Sequence, residues 1–450
     1  MGLVDLLIKN GLVLTMDKDR RIITEGTVTV EEGRIISVKR GWTGRGKPEE
    51  VIDARGKIVM PGFVCSYTSL HGLFLLGTRA KMGSFSDLSQ LQQQVYWPVE
   101  EAMTKEDVYA VVLYSCLRFL KTGVTSFAGT ISAPNAIAGI LDKVSLAVER
   151  SRIRGMIAFE ATERRTRAEG AKATRENERF IKKMKKERTR RVRGMFGIGP
   201  SSLVSDELLW HVKELVNRYK TFATVVTSKG LSDVHRSYER FGKRTVERLN
   251  DLGLLSPETV LVHSIHVNEG ELGLIKKRGA KVVHSPMEEM LDGVGATPVM
   301  KMTSSDISVG VGDGGYSFDW FENIRTAYLL QKVVTHGPDA LTPMEVLEMA
   351  TIKGAELYGL QNEVGSIEHG KLADIIIVNP GHSPVPLRSD NVVDHVVNAV
   401  SGRNVETVLV GGNVVMSNRE VQTVDEMEAA KQVKRSVERI WQKLGLGGGR

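Results

Sequence analysis

The chain predicts an α/β fold: a (β/α)8 TIM barrel with a small β-sandwich domain formed by its N- and C-terminal segments. Three observations carry this. The 450 residues are 41% hydrophobic and 26% charged, an ordinary globular balance with room for one large barrel and a satellite. Through the middle of the chain, short apolar runs alternate with amphipathic helical stretches, the pattern of βα units around a parallel sheet. Short strands separated by turn residues stand at both ends.

Taken in order, residues 5–8, 12–15, 26–31, 34–38 and 51–53 are β-branched or alternating, with Asn10-Gly11 and Glu32-Gly33 as turns. They predict the first part of the small domain, residues 1–56. Barrel strands are expected at 58–65, 124–128, 154–160, 195–199, 222–227, 260–265, 281–285 and 307–312. Helices between them fall at 105–121, 171–186, 205–219, 243–252 and 269–278. An open doubly wound sheet is the alternative, weakened because no glycine-rich dinucleotide turn follows the first strand. Helical stretches at 320–333 and 343–357 complete a barrel spanning 57–364. Strands at 375–378, 392–399, 405–410 and 413–416 return to the small domain over 365–424. A helix at 427–444 and a glycine tail, including 447–449, fill 425–450.

The net charge of +7 is local. Residues 163–193 hold 14 Lys/Arg and five Asp/Glu, an excess of +9 that leaves the rest at −2. A solvated helix on the barrel exterior explains it; nucleic-acid contact is the alternative. Two cysteines, Cys65 and Cys116, exclude a disulfide framework and read as core residues of a cytoplasmic protein. No apolar run has the length of a membrane span, and no signal-peptide pattern opens the sequence. Abundant Lys, Arg and Glu also fit a thermophile.

Several segments carry a resemblance. They are Val51-Ile52-Asp53-Ala54-Arg55-Gly56-Lys57 leading to Met60-Pro61-Gly62-Phe63-Val64, then Trp97-Pro98-Val99-Glu100, Gly123-Val124-Thr125-Ser126-Phe127 and Val283-His284-Ser285-Pro286. Ala350-Thr351-Ile352-Lys353-Gly354-Ala355 and Gly365-Ser366-Ile367-Glu368-His369-Gly370-Lys371-Leu372-Ala373-Asp374 complete them. Together they resemble the amidohydrolase superfamily, in the branch of cytosine deaminase-like, adenosine-homologue deaminase and triazine chlorohydrolase proteins. The resemblance implies hydrolysis of a carbon–nitrogen bond by water on a zinc or iron ion. It implies ligands from a His-x-His after strand one, a His after strand five and an Asp after strand eight.

The chain departs from that pattern where the chemistry stands. The His-x-His positions are Tyr67 and Ser69, the strand-five His position is Val226, and its partner Glu position is Lys229. The strand-four His position is Ser201, whereas His263, His284 and Asp313 survive. Three of four ligands are replaced, so the expectation is that no metal is bound and no cofactor is needed. His263 is then the acid/base, or a core histidine bonded to Asp313. Lys229 is an electrostatic stabiliser, or pairs with Asp313. Tyr67 and Ser69 share a strand face and position substrate or water with Asp313, or fill space. Ser201 and His284 are candidate substrate contacts; Glu288 and Glu289 bind a cationic group or are solvated. His71 reads as a loop residue at the surface or on substrate, and His266 as a helix start.

The function expected is hydrolysis of a non-peptide carbon–nitrogen bond in a small nitrogenous molecule held at the barrel mouth, by a homodimer. The alternatives are a non-catalytic ligand sensor or structural partner, and an RNA-associated protein using the basic helix.

Overall fold

The computed structural model describes residues 4–42, 48–78, 81–187, 191–316, 319–381 and 383–446. The glycine tail expected at 447–449 lies outside the described residues, as do 188–190 of the basic segment. Eight parallel strands follow one another around a barrel. They are Phe63–Ser69, Val124–Ile131, Arg154–Ala161, Phe196–Pro200, Ala223–Thr227, Thr259–His263, Lys281–His284 and Val309–Val311. The backbone N–H of Asp313 donates to the Tyr67 carbonyl at 2.9 Å, bringing the eighth strand end against the first.

Alternation along these strands sorts the core into two layers, because successive side chains of a strand point to opposite faces. Met156, Ala158, Val260 and Val262 point inward and pack with Val64, Tyr67, Met195 and Val283. Ile157, Phe159, Leu261 and Val282 point outward against the helices. Tyr358, Leu360 and Val364 join the inner layer, and the Tyr358 hydroxyl donates to the Ser66 carbonyl at 2.7 Å. The barrel is thus packed inside, leaving the ends of its strands to form a site.

The apolar run expected as one barrel strand at 58–65 divides in two. Ile58–Pro61 pairs with Leu6–Leu14 and with Ile375–Val378 in a separate nine-stranded sheet built from both ends of the chain. At Gly62 the chain crosses over. Its N–H donates to the Asp374 carbonyl at 2.9 Å, and the next N–H, of Phe63, to the Gly123 carbonyl of the barrel at 2.9 Å. A Cβ on Gly62 would come within 2.2 Å of Thr125, so the crossing requires glycine. Both halves of the run are buried and apolar, so hydrophobicity alone does not mark the junction. A buried pair, Arg154 to Asp374 at 3.1 Å, ties the start of the third barrel strand to the small sheet.

Residues 392–399 are helical rather than a strand. Their valines favour a strand by composition, but Val392, Val396 and Val397 are the buried ones, which is the spacing of one helix face. The segment 343–357 breaks into Pro343–Met349 and Ile352–Glu356, and helices at Ile140–Ser151 and Leu231–Phe241 add to those expected.

The basic segment forms the helix Arg167–Glu187 on the barrel exterior. Its cations face carboxylates: Lys182 pairs with Glu178 at 2.8 Å, Lys183 with Asp142 at 3.1 Å and Arg179 with Glu176 at 2.8 Å. Cys65 and Cys116 are buried free thiols. Among the described residues no helix is long and apolar enough to cross a membrane.

Candidate active site

The strand ends build a cavity at the barrel mouth. Tyr67 and Ser69 reach it from the first strand, Glu160 from the third, Val226 and Lys229 from the fifth and His263 from the sixth. Glu288 enters from the helix Pro286–Asp292 that follows the seventh strand. Tyr96, Trp97 and Tyr316 supply aromatic wall, while His71 and Glu100 complete the polar lining. Two polar residues are delivered by backbone turned out of strand geometry. Ser228, just before Lys229, has φ +47°, and His263 itself has φ +74°. Non-glycine residues hold such angles at a cost of about 1–3 kcal/mol, which concentrates them where a side chain must be aimed.

One side of the mouth is a closed ionic cluster. Lys229 Nζ lies 2.6 Å from Glu288 Oε1 and 2.7 Å from Asp292 Oδ2. The spacing of Glu288 and Asp292 puts both on one helix face. Tyr96 donates its hydroxyl to Asp292 Oδ1 at 2.5 Å. His263 Nε2 stands 3.3 Å from Glu288 Oε2, and its Nδ1 stands 3.3 Å from Glu289 Oε1. Burial pushes the Lys229 pKa down, but Asp292 and Glu288 hold it well above the ordinary lysine value. Burial pushes the Glu288 carboxyl up, yet Lys229 and His263 bring it down to about 2. Burial lowers His263, and Glu288 and Glu289 more than reverse that. The cavity therefore presents a fixed ammonium and an imidazole biased toward its charged form.

Glu289 anchors this side from behind. Its oxygens accept from the backbone N–H groups of Ser285 at 3.0 Å and Thr297 at 2.9 Å, and from the Thr297 hydroxyl at 2.7 Å. His284 Nδ1 lies 2.9 Å from its other oxygen. The opposite side holds a second cluster. Glu100 accepts from Arg164 Nη1 and from the Ser132 hydroxyl, both at 2.6 Å, and lies 3.5 Å from His71 Nε2. Burial pushes Glu100 up, but Arg164 and His71 bring it to about 2. Arg164 also stacks over the Trp97 ring at 5.0 Å.

Among the residues expected at the site, Tyr67, Ser69, Lys229, His263 and Glu288 meet in the cavity. Tyr67 shares a 3.1 Å hydrogen bond with Thr130, and burial raises its pKa. Asp313 lies buried beside Cys65 rather than on the lining. There it accepts from the Gly315 N–H at 2.9 Å, and burial lifts it to about 6. The ion pair expected between Lys229 and Asp313 is not formed, because Glu288 and Asp292 enclose the ammonium, and His263 bonds Glu289 rather than Asp313. Ser201 sits just past the lining residue Pro200, its carbonyl accepting from Arg248 at 2.7 Å. His284 is buried behind the wall against Glu289. Glu288 and Glu289 are both buried, so the solvated alternative is corrected: the groups they face are Lys229 and the imidazoles of His263 and His284.

Sequence reasoning passed over Glu100, Glu160, Arg164 and Asp292. Glu160 was accessible to it, because the inward alternation of Met156 and Ala158 continues to position 160. Asp292 follows Glu288 by four residues within one helix, a spacing that also predicts a shared partner.

The comparisons with known proteins cover almost the whole chain. The Amidohydrolase family matches residues 58–415. A protein of Methanosarcina mazei named 5'-deoxyadenosine deaminase is 30% identical over 97% of this chain and 99% of its own length. A 5-methylthioadenosine/S-adenosylhomocysteine deaminase of Bacillus cereus is 30% identical over 96% and 99%. An adenosine deaminase of Xanthomonas campestris, solved with bound zinc, superposes with a TM-score of 0.89 at 22% identity, over 98% of this chain and 99% of that one. That zinc-bound relative, with the family match, overturns the expectation that no cofactor is involved and points to a metal. The side chains at this mouth do not fit such an ion by the chemistry of their donors. A phenol, a hydroxyl and a valine stand where the resemblance implies three ligands, and among the described residues no group of three or more His, Cys, Asp or Glu is placed to hold a metal. From its matched length and its fold, the chain belongs to the amidohydrolase family.

Proposed function

We propose that the protein hydrolyses the exocyclic carbon–nitrogen bond of a small purine nucleoside, releasing ammonia, with a 5'-modified adenosine as the substrate class. Full-length relatives named as deaminases of 5'-deoxyadenosine and of 5-methylthioadenosine/S-adenosylhomocysteine support the reaction. The observation that carries the reading is the cavity itself: a fixed ammonium, an imidazole and carboxyl groups at the strand ends, walled by Tyr96, Trp97 and Tyr316. Aromatic walls suit a flat heterocycle, and convergent polar groups suit proton transfer to its nitrogens. A second, apolar cavity shares Tyr96 and Tyr316 with the first and is lined by Leu76, Phe85, Met287 and Leu291, which suits a 5' substituent without a hydroxyl.

In this reading His263 moves protons, with Glu288 and Glu289 holding both ring nitrogens. Lys229 stabilises negative charge developing on the heterocycle or on the added oxygen. Tyr67 and Ser69 orient substrate or water, and Asp313 supports them from beneath. The test is ammonia release from adenosine, 5'-deoxyadenosine, 5'-methylthioadenosine and S-adenosylhomocysteine, with and without added zinc or iron, on wild type and His263→Ala. Turnover by wild type lost in His263→Ala supports the reading; equal silence from both under every condition rejects it in favour of a ligand-binding protein.

A further inference from the structure

Of the carboxyl groups on the cavity lining, Glu100 and Glu288 are each engaged by two basic side chains. Glu160 differs. Among the described residues no hydrogen bond or ion pair joins its carboxyl to another group, although it lines the same cavity. It ends the third barrel strand on the inward face, in line with Met156 and Ala158. Its position is also built. The carboxyl lies against Gly199 of the fourth strand, where a Cβ would come within 2.7 Å of Oε1 and 3.3 Å of the carboxyl carbon. Any larger residue at 199 would push the Glu160 carboxyl out of place. The groups facing it are Glu100 from the helix Trp97–Ala102, His71 from beyond the first strand and Arg164 from beyond the third. Lys229 from beyond the fifth strand and Tyr67 from the first complete the set.

We infer that Glu160 is the proton-donating carboxyl of the cavity, reserved for a ring nitrogen of the bound heterocycle. The inference rests on the deaminase reading and adds a catalytic residue to it. As water oxygen bonds the amino-bearing carbon, the carbon–nitrogen double bond electrons move to the ring nitrogen. The Glu160 O–H bond breaks and a ring N–H bond forms. The added water then returns its spare proton to the carboxylate, so the carboxyl ends as it began. Collapse of the adduct moves the remaining hydroxyl proton to the departing amine, which leaves as ammonia while the carbonyl forms. Burial and the Glu100 charge raise Glu160 to about 7 against the pull of His71, Arg164 and Lys229, so a proton is available near neutrality.

The experiment compares wild type, Glu160→Gln and Glu160→Asp, each checked for a wild-type melting transition. For a substrate that wild type turns over, Glu160→Gln is expected to lose about 100-fold or more in kcat with KM changed only a few-fold, and to lose the pH-rate limb near neutrality; Glu160→Asp recovers part of the rate. Loss of less than about threefold, or an unchanged limb, overturns the inference while leaving the deaminase reading intact. Wild-type silence across the substrate panel rejects the deaminase reading instead, and adenosine binding then decides on Glu160. Wild-type binding that weakens about tenfold from pH 6 to pH 8, while Glu160→Gln binding stays constant, supports a ligand-facing carboxyl that donates its proton. Equal binding by both proteins at both pH values overturns it.

Discussion

The two sides of the barrel mouth solve the burial of charge differently. On the side of the fifth to seventh strands, Lys229, Glu288, Asp292, His263 and Glu289 are linked in one chain of pairs, and every carboxylate faces a cation or several N–H and O–H donors. On the side of the first and third strands, Glu100 is saturated by Arg164, His71 and Ser132, but Glu160 beside it is left without a partner among the described residues. Carboxylates paired in this way are locked in one charge state and serve as a scaffold. An unpaired carboxyl near a like charge keeps a proton that it can give away. Among the described residues, the difference separates the carboxylates that hold the mouth together from a carboxyl able to give up a proton.

The strongest way to break this division is at Glu289. Glu289→Ala removes the acceptor for two backbone N–H groups, the Thr297 hydroxyl and two imidazoles. It is expected to cost about 3–5 kcal/mol of stability, the upper range for an emptied buried ionic site. Urea unfolding reads this directly, and a loss below about 1 kcal/mol would mean that the scaffold lies elsewhere. Lys229→Met comes next. It leaves Glu288 and Asp292 buried without their shared ammonium, at about 3 kcal/mol, and much of that returns in Lys229→Met with Glu288→Gln and Asp292→Asn, since neutral groups tolerate the site. If the triple variant is no more stable than the single one, the three do not act as a unit. Both effects are expected to grow at neutral pH and shrink in acid. Glu288 titrates in the fold at about 2, below the ordinary 4.5, so its stabilisation is present above about pH 4.5 and is lost as pH falls toward 2.

Much of the barrel was legible because its strands are short apolar runs between amphipathic helices, and that pattern survives wide change in sequence. The junction at Gly62 was not, since Ile58–Pro61 and Phe63–Ser69 are equally apolar while belonging to different sheets. Residues 392–399 misled through their valines, whose burial follows a helix period. At the site, Lys229, His263 and Glu288 were visible one at a time because each follows a strand or starts the helix after one. Their partners were not, because pairing depends on how the helix Pro286–Asp292 turns toward the fifth strand. Tyr67, Ser69 and Val226, where the resemblance implies ligands, do line the cavity, yet a count of residues in one chain says nothing of what its relatives bind, and the zinc-bound structure corrected the conclusion drawn from it.

The smallest expected effect sharpens the comparison most, because its sign is opposite to the others. Glu160 is held at about 7 in the fold against 4.5 for a free carboxyl, so the folded state keeps a proton that the unfolded chain gives up. Its contribution is fully present below about pH 4.5 and is lost as pH rises through 7. Wild type should therefore lose stability between pH 5 and pH 8 relative to Glu160→Gln, which has no proton to lose. The gap is expected at about 1–3 kcal/mol, reduced from the full shift because the group is half-buried and open to water in the cavity. Parallel urea titrations of the two proteins at pH 5 and pH 8 measure it. A constant difference across that range would place Glu160 with the paired carboxylates and erase the asymmetry of the mouth, whereas a widening one in favour of Glu160→Gln shows that this carboxyl is kept protonated at the expense of stability, as a residue selected for chemistry would be.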